Sequence, residues 1–115
     1  KVGDELGGHI VTGHVDAVAT VARRWTDGGS IGFEFAAPRI QGACIAAKGS
    51  ITIDGVSLTV NAVHDTPEAT LFTVNIIPHT AEWTTLGALA VGDSVNIEID
   101  VLARYLERMR ESLAN

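Results

Sequence analysis

The stretch Lys48-Gly49-Ser50-Ile51-Thr52-Ile53-Asp54-Gly55-Val56-Ser57-Leu58-Thr59-Val60 contains the clearest local pattern in the chain. Asp-Gly is typical of two-residue hairpin turns, because both residues tolerate the positive φ angles that such turns need. Alternating polar and apolar residues flank the dipeptide, as in paired strands with one buried face. We therefore predict a hairpin with strands at 48–53 and 56–63. Its second strand presents Ser57, Thr59 and Asn61 on one face, and Val56, Leu58 and Val60 on the other.

The regions on both sides of this hairpin are also typical of short strands. The glycine pair Gly28-Gly29 predicts a turn, and Pro78 ends an apolar run. Alternation predicts further strands at 8–25, 30–35, 71–77 and 94–99, and brief helical segments within 38–47 and 80–86. Six short strands separated by turns favour an all-β fold, a six-stranded antiparallel Greek-key β-barrel with short connecting helices.

Beyond Asp100 the pattern becomes helical. The apolar residues there recur at helical spacing, with charged residues on the other face: Leu102, Tyr105, Leu106, Met109 and Leu113. The sequence therefore predicts a β-barrel over residues 1–100 and a C-terminal amphipathic helix over residues 101–115.

Composition limits the classes of function. The chain has 115 residues, 46% of them hydrophobic, which predicts one globular domain. The net charge of −6 and the lack of a basic patch make nucleic acid an unfavourable partner. Cys44 is the only cysteine, so we expect no intrachain disulfide and a reducing, cytoplasmic environment. No apolar run approaches the roughly 20 residues of a membrane-spanning helix. The first residue is Lys, and we expect the chain to begin inside a longer gene product.

Residue by residue, no catalytic class stands out. His9 and His14 are five positions apart and point to opposite faces of a strand, so a shared zinc ion is not expected. His64 and His79 are expected on the surface. A hydrolase built from Ser57, His14 and either Asp54 or Asp100 lacks the second glycine of a nucleophile elbow. The polar face of the Ser57 strand is typical of a half-buried strand that meets water. Three charges read as solvated groups at strand ends: Lys48, Glu98 and Asp100.

Four segments, in order, resemble the riboflavin synthase family. They are Gly7-Gly8-His9-Ile10-Val11-Thr12-Gly13-His14-Val15-Asp16, the hairpin 48–60, Ile76-Ile77-Pro78-His79-Thr80 with Thr84-Thr85-Leu86-Gly87, and Val95-Asn96-Ile97-Glu98-Ile99-Asp100 leading into 102–108. These segments span nearly the whole chain. Their joint order and spacing identify the chain as similar to the second of the two barrels of that family, together with the helix that follows it.

The resemblance implies a function. Members of the family take two molecules of 6,7-dimethyl-8-ribityllumazine and transfer a four-carbon unit between them, giving riboflavin and 5-amino-6-(D-ribitylamino)uracil. They use neither metal nor cofactor and act as trimers, in which each active site lies between the first barrel of one subunit and the second barrel of a neighbour. The resemblance also favours a role for helix 101–115 in oligomerisation.

The resemblance also implies site residues. Ser57, His14 and Asp100 are the expected catalytic residues, as base and nucleophile. The expected lumazine-binding positions are Gly13, His14, Val15, Lys48, Ser57, Leu58, Thr59, Asn75, Ile76, Ile77, Pro78, His79 and Thr80.

Three alternatives stay open. A lumazine or flavin carrier could keep this fold without catalysis, as lumazine-binding light emitters do. A flavin-dependent reductase shares the Greek-key layout, but its Arg-x-Tyr-Ser strand is not found here. A purely structural interaction domain would have no pocket beside Ser57 and Thr59.

Overall fold

The computed structural model describes residues 15–99, and residues 109, 110 and 113 near the C-terminus. Three predicted site residues lie outside these positions: Gly13, His14 and Asp100. Met109, Arg110 and Leu113 have helical backbone, and the rest of the predicted helix 101–115 lies outside the described residues.

Within residues 15–99 the chain forms strands joined by short helices. The strands are β1 (Ala17–Asp27), β2 (Ser30–Ala37), β3 (Ser50–Ile53), β4 (Val56–Thr59), β5 (Ala62–Asp65), β6 (Thr70–Ile76) and β7 (Ser94–Ile99). The helices are α1 (Arg39–Gly42), α2 (Pro78–Trp83) and a 3₁₀ turn at Thr85–Ala88. All strand pairs are antiparallel, in the order β4-β3-β7-β1-β2-β6-β5. The antiparallel all-β fold class predicted from the sequence is confirmed, and β7, the last strand described, lies between β3 and β1.

The two glycine-containing turns form as predicted. Asp54 and Gly55 have φ angles of 47° and 85°, and Ile53 pairs with Val56 across the turn. Both positive angles are those of the turn type whose twist matches paired strands. Gly28 and Gly29, with φ of 57° and 94°, connect β1 to β2 in the same way.

The predicted strand 56–63 divides into two, so seven strands are described where six were predicted. β4 pairs with β3, and β5 pairs with β6 at the opposite edge of the sheet. Only Val60 and Asn61 separate them. The Val60 carbonyl accepts a hydrogen bond from the Lys48 N–H at 2.6 Å, whereas the Asn61 N–H donates to the Thr73 carbonyl at 2.8 Å. Because β4 and β5 are the two edge strands and only two residues separate them, the sheet must curl to bring its edges close together at this point.

Aromatic stacking fills the centre of the curled sheet. Phe35 lies between Phe33 and Phe72, with ring centroids 5.6 Å and 5.5 Å apart, and all three side chains are fully buried. The inward residues of β3 and β7, including Ile51, Ile53, Ile97 and Ile99, complete this core.

Arg24 fixes the segment that follows β6 at one end of the sheet. Its Nη1 donates to the carbonyls of Gly87 and Leu89 at 2.9 Å and 2.8 Å, and its guanidinium lies 5.3 Å from the Phe33 ring centroid. Only glycine fits at position 87, because a Cβ atom there would overlap the Ala81 carbonyl oxygen. These contacts hold α2 and the 3₁₀ turn in place beside the end of β6.

Candidate functional site

A seam between β4 and β6 is the feature around which the predicted site residues gather. β6 pairs with β2 as far as Ile76, but its ladder with β5 ends where Ala62 pairs with Thr73. β4 pairs with β3 along its whole length. The Cα atoms of β4 and β6 nevertheless come within 8 Å of each other. We define the seam as β4 (residues 56–59) together with the part of β6 beyond its last described pair with β5 (residues 74–76).

The side chains of β4 follow the predicted division into two faces. Leu58 packs against the hydrophobic core and Val60 is buried. Ser57 is half-buried and Thr59 is exposed on the outward face. The seam therefore carries two hydroxyl groups on its outward side and backbone polar groups along its edges.

Lys48 is joined to the end of this strand. Its N–H bonds to the Val60 carbonyl, and Val60 in turn donates to the Gly49 carbonyl at 2.8 Å. The residue is exposed and has a φ of 69°, a left-handed conformation that is unfavourable for any residue with a Cβ atom. Strain of this kind is more common at binding sites than elsewhere.

This strain leads to a prediction about Lys48. Lys48→Gly should be more stable to unfolding than Lys48→Ala by about 1 kcal/mol, because glycine adopts the left-handed region without a Cβ clash. Both variants lack the ammonium group, so both should bind a seam ligand with similarly reduced affinity. Urea unfolding of the pair measures the difference in stability. Equal stabilities would show that the backbone at position 48 is unstrained.

The predicted lumazine-binding residues 75–80 run from the end of β6 into α2. Pro78 occupies the first turn of α2, where its missing N–H is not required. Ile77 and Trp83 are exposed by 57% and 72%, and the His79 and Trp83 rings lie 6.0 Å apart. Predicted residues from 75 to 80 thus occupy the end of the seam and the helix that follows it.

Val15 lies apart from residues 75–80. It lines a cavity of about 210 Å³ on the outward face of β3 and β7. We call it the outer cavity, and the described residues that line it are Val15, Thr52, Asp54, Gly55, Asn96, Ile97 and Glu98. Asp54, considered above as a hydrolase carboxylate, instead accepts a hydrogen bond from the Asn96 N–H at 2.8 Å through Oδ1. Thr52 pairs with Ser57 across the hairpin, so the outer cavity adjoins the seam.

Glu98 is the residue of the outer cavity whose burial the sequence interpretation missed. It was expected to be a solvated charge, but only 6% of it is exposed, and Thr52 beside it is 2% exposed. The expectation was wrong because alternation places Glu98 outward, and outward positions are normally wet. No pattern in the sequence distinguishes an outward strand position that borders a cavity from one in open solvent.

Two other features lie away from the seam. A second cavity of about 260 Å³ is lined by Asp16, Ile40, Gln41, Cys44 and Ile99, none of them a predicted site residue. On the β1–β2 hairpin, Arg23 Nε donates to Glu34 Oε1 at 2.9 Å, and this hydrogen bond raises the pKa of Arg23.

Across the part of the chain that the structure describes, no helix is long and apolar enough to cross a membrane.

Curated relatives match nearly all of this chain. It is 48% identical over 96% of its length to a riboflavin synthase of Brucella abortus (strain 2308) and 50% identical over 90% to one of Photobacterium phosphoreum. It is 43% identical over 96% to one of Mycobacterium bovis. The match covers 53%, 46% and 55% of those relatives, so the chain spans about half of their length.

Solved structures share the fold. LumP in complex with 6,7-dimethyl-8-(1'-D-ribityl) lumazine superposes with a TM-score of 0.70 at 25% identity, over 81% of this chain and 50% of LumP. LumP in complex with riboflavin gives a TM-score of 0.72 at 26% identity, over 84% and 50%.

The family model of the lumazine binding domain matches residues 12–100, which include every strand described above. This match covers most of the chain, and the chain belongs to the lumazine-binding domain family.

Proposed function

We propose that this chain is a lumazine-binding barrel of a riboflavin synthase. The enzyme would convert two molecules of 6,7-dimethyl-8-ribityllumazine into riboflavin and 5-amino-6-(D-ribitylamino)uracil, without metal or cofactor. The identity of 43–50% to three riboflavin synthases supports this activity. The observation that carries it in the structure is the seam.

The seam suits a planar ring with alternating donors and acceptors along its edge. Backbone N–H and C=O groups alternate along a strand edge, and such an edge can pair with a ligand as it would with another strand. Ser57 and Thr59 add hydroxyl groups that both donate and accept. A neutral heterocycle needs few charged partners. Among the predicted residues, Lys48 is the one cation near the seam, which fits such a ligand.

The proposed chemistry needs orientation and proton transfer. Two identical rings must meet before bonds are exchanged, and such positioning can lower a barrier by about 7–11 kcal/mol at best. A base must remove a proton from the ring methyl group, and a nucleophile or activated water must add to the other ring. We assign these roles to His14, Ser57 and Asp100 as a group.

We further propose that the active protein is a cytoplasmic trimer, that helix 101–115 contributes to its assembly, and that each site is completed by another barrel. Sedimentation of the full-length protein tests the trimer, and a monomeric mass would refute it.

The experiment that tests the function uses the purified full-length protein. Added 6,7-dimethyl-8-ribityllumazine should bind with a change in its fluorescence and should then be converted to riboflavin. Binding without conversion would favour the carrier alternative, which the fold shared with ligand-bound LumP keeps open. Absence of binding would refute both.

A further inference from the structure

We propose that Arg24 is a positioning residue for the proposed ring site, although it lies on β1 and belongs to neither strand of the seam. Its guanidinium holds the segment after β6 in one place, so that residues 77–80 face a ring at the end of the seam. This inference rests on the proposed function and extends it, because it names a residue that controls the shape of the site from outside it.

The helix that carries these residues has little to hold it in place by itself. α2 spans only six residues, has no buried residue and has no side-chain cap at its N-terminus. Helices of this length are marginal in isolation, and most helical stability in proteins comes from packing. Within α2 only Ala81 packs, partly buried, against the core. The position of α2 therefore depends on the 3₁₀ turn that follows it.

The 3₁₀ turn is joined to α2 by two contacts. Thr84, which lies between them, donates through Oγ1 to the Thr80 carbonyl at 2.7 Å and accepts from the Leu86 N–H at 3.2 Å. Gly87 lies so close to the Ala81 carbonyl that no side chain fits between them. A displacement of the turn would therefore also displace Thr80, one of the expected ring-binding residues.

A β-bulge in β1 aims Arg24 at this turn. The pairing of β1 with β2 shifts by one residue between Val21 and Arg23, so that Val21 pairs with Phe35 and Arg24 pairs with Phe33. Paired residues share a face of the sheet, and both phenylalanines are buried in the core. Without the extra residue, alternation would turn Arg24 to the outward face. Bulges are common beside active sites, where they redirect a side chain in this way.

From this position Arg24 completes the set of contacts. Its Nη1 donates to the carbonyls of both Gly87 and Leu89, and its guanidinium lies against the Phe33 ring. The last carbonyls of a helical turn have no partner within the helix, and Arg24 supplies one. Hydrogen bonds from a charged donor are also stronger than those between neutral groups. Arg24 thus connects the core of the sheet to the end of the turn, and through the turn to α2.

The test measures kcat/KM for riboflavin formation by the full-length protein. Arg24→Met keeps a long side chain without a donor and should reduce kcat/KM by about tenfold or more, because small displacements of site groups are costly. Arg24→Lys keeps the charge and the donors, and should stay within about threefold of the wild-type value. The control is Arg23→Met, which removes the same charge from the opposite face of β1 and should change kcat/KM by less than about twofold.

Thr84 provides an independent pair of variants on the same path. Thr84→Val has a similar shape but removes both hydrogen bonds of the hydroxyl, so it should also reduce kcat/KM by about tenfold. Thr84→Ser keeps the hydroxyl and should stay within about threefold of the wild-type value. Circular dichroism confirms that each variant is folded, and urea unfolding measures its stability.

A purely structural role would change stability alone. If Arg24→Met is less stable but keeps the wild-type kcat/KM, the inference is overturned. An equal loss of kcat/KM in Arg23→Met would show a general effect of charge and would also overturn it. Both results would leave the proposed function intact. If the wild-type protein forms no riboflavin, the proposed function itself is wrong.

Discussion

Replacing Ser57 by alanine should reduce kcat of the full-length protein by about 10²-fold or more, the range expected when a group that takes part in proton transfer or nucleophilic attack is removed. Ser57 lies on the outward side of β4 at the seam, where its hydroxyl can reach a ring bound between β4 and β6. Ligand affinity should fall much less, by about tenfold at most, because only one hydrogen bond is lost.

Steady-state formation of riboflavin measures kcat, and a fluorescence titration measures affinity separately. Ser94→Ala, at an exposed position of β7, is the matched control and should leave both values unchanged. Unchanged turnover in Ser57→Ala would remove Ser57 from the proposed catalytic group. A loss of affinity with an unchanged kcat would instead assign Ser57 to binding alone.

Replacing Phe35 by alanine should lower the free energy of unfolding by about 3–5 kcal/mol. Phe35 is fully buried and is the middle ring of the stack formed with Phe33 and Phe72. The substitution would leave a cavity where β2 and β6 face the core. Because domains of this size are stable by only about 5–15 kcal/mol, a large part of the total would be lost.

Urea unfolding followed by circular dichroism measures this effect. Leu71→Ala, on the neighbouring strand but only half-buried, is the control and should lose about 1 kcal/mol. If Phe35→Ala were no more damaging than the control, the three rings would not form the centre of the core.

Much of the fold is predictable from local patterns. The hairpin at Asp54-Gly55 and strand β7 occur where alternation and turn residues predict them. The break at Val60 and Asn61 is not predictable in this way. Alternation continues from buried Val60 to exposed Asn61 without interruption, and only the change of partner from β3 to β6 separates β4 from β5. The choice of partner depends on residues distant in sequence.

The candidate site is predictable to a similar degree. The outward placement of Ser57 and Thr59 follows from the alternation of β4, whereas their assignment to a site, like that of residues 75 to 80, follows from a family resemblance. Glu98 follows from neither, because its burial depends on how two strands, the Asp54-Gly55 turn and Val15 surround one cavity. The sequence specifies which face of the sheet each strand residue occupies. How deeply that face is buried depends on the tertiary packing around it.

The position of β7 has a consequence for how the protein is made. Among the strands within residues 15–99, only β7 pairs the β3–β4 hairpin to β1, so that without β7 these strands form a four-stranded sheet and a separate hairpin. The pairing of Ala17 with Ile97 also joins residues 80 positions apart. Such long-range closure makes folding slow, in milliseconds to seconds for comparable β-proteins. We therefore expect the barrel to close only after the ribosome has released its last strand, with chaperones able to bind the open sheet until then.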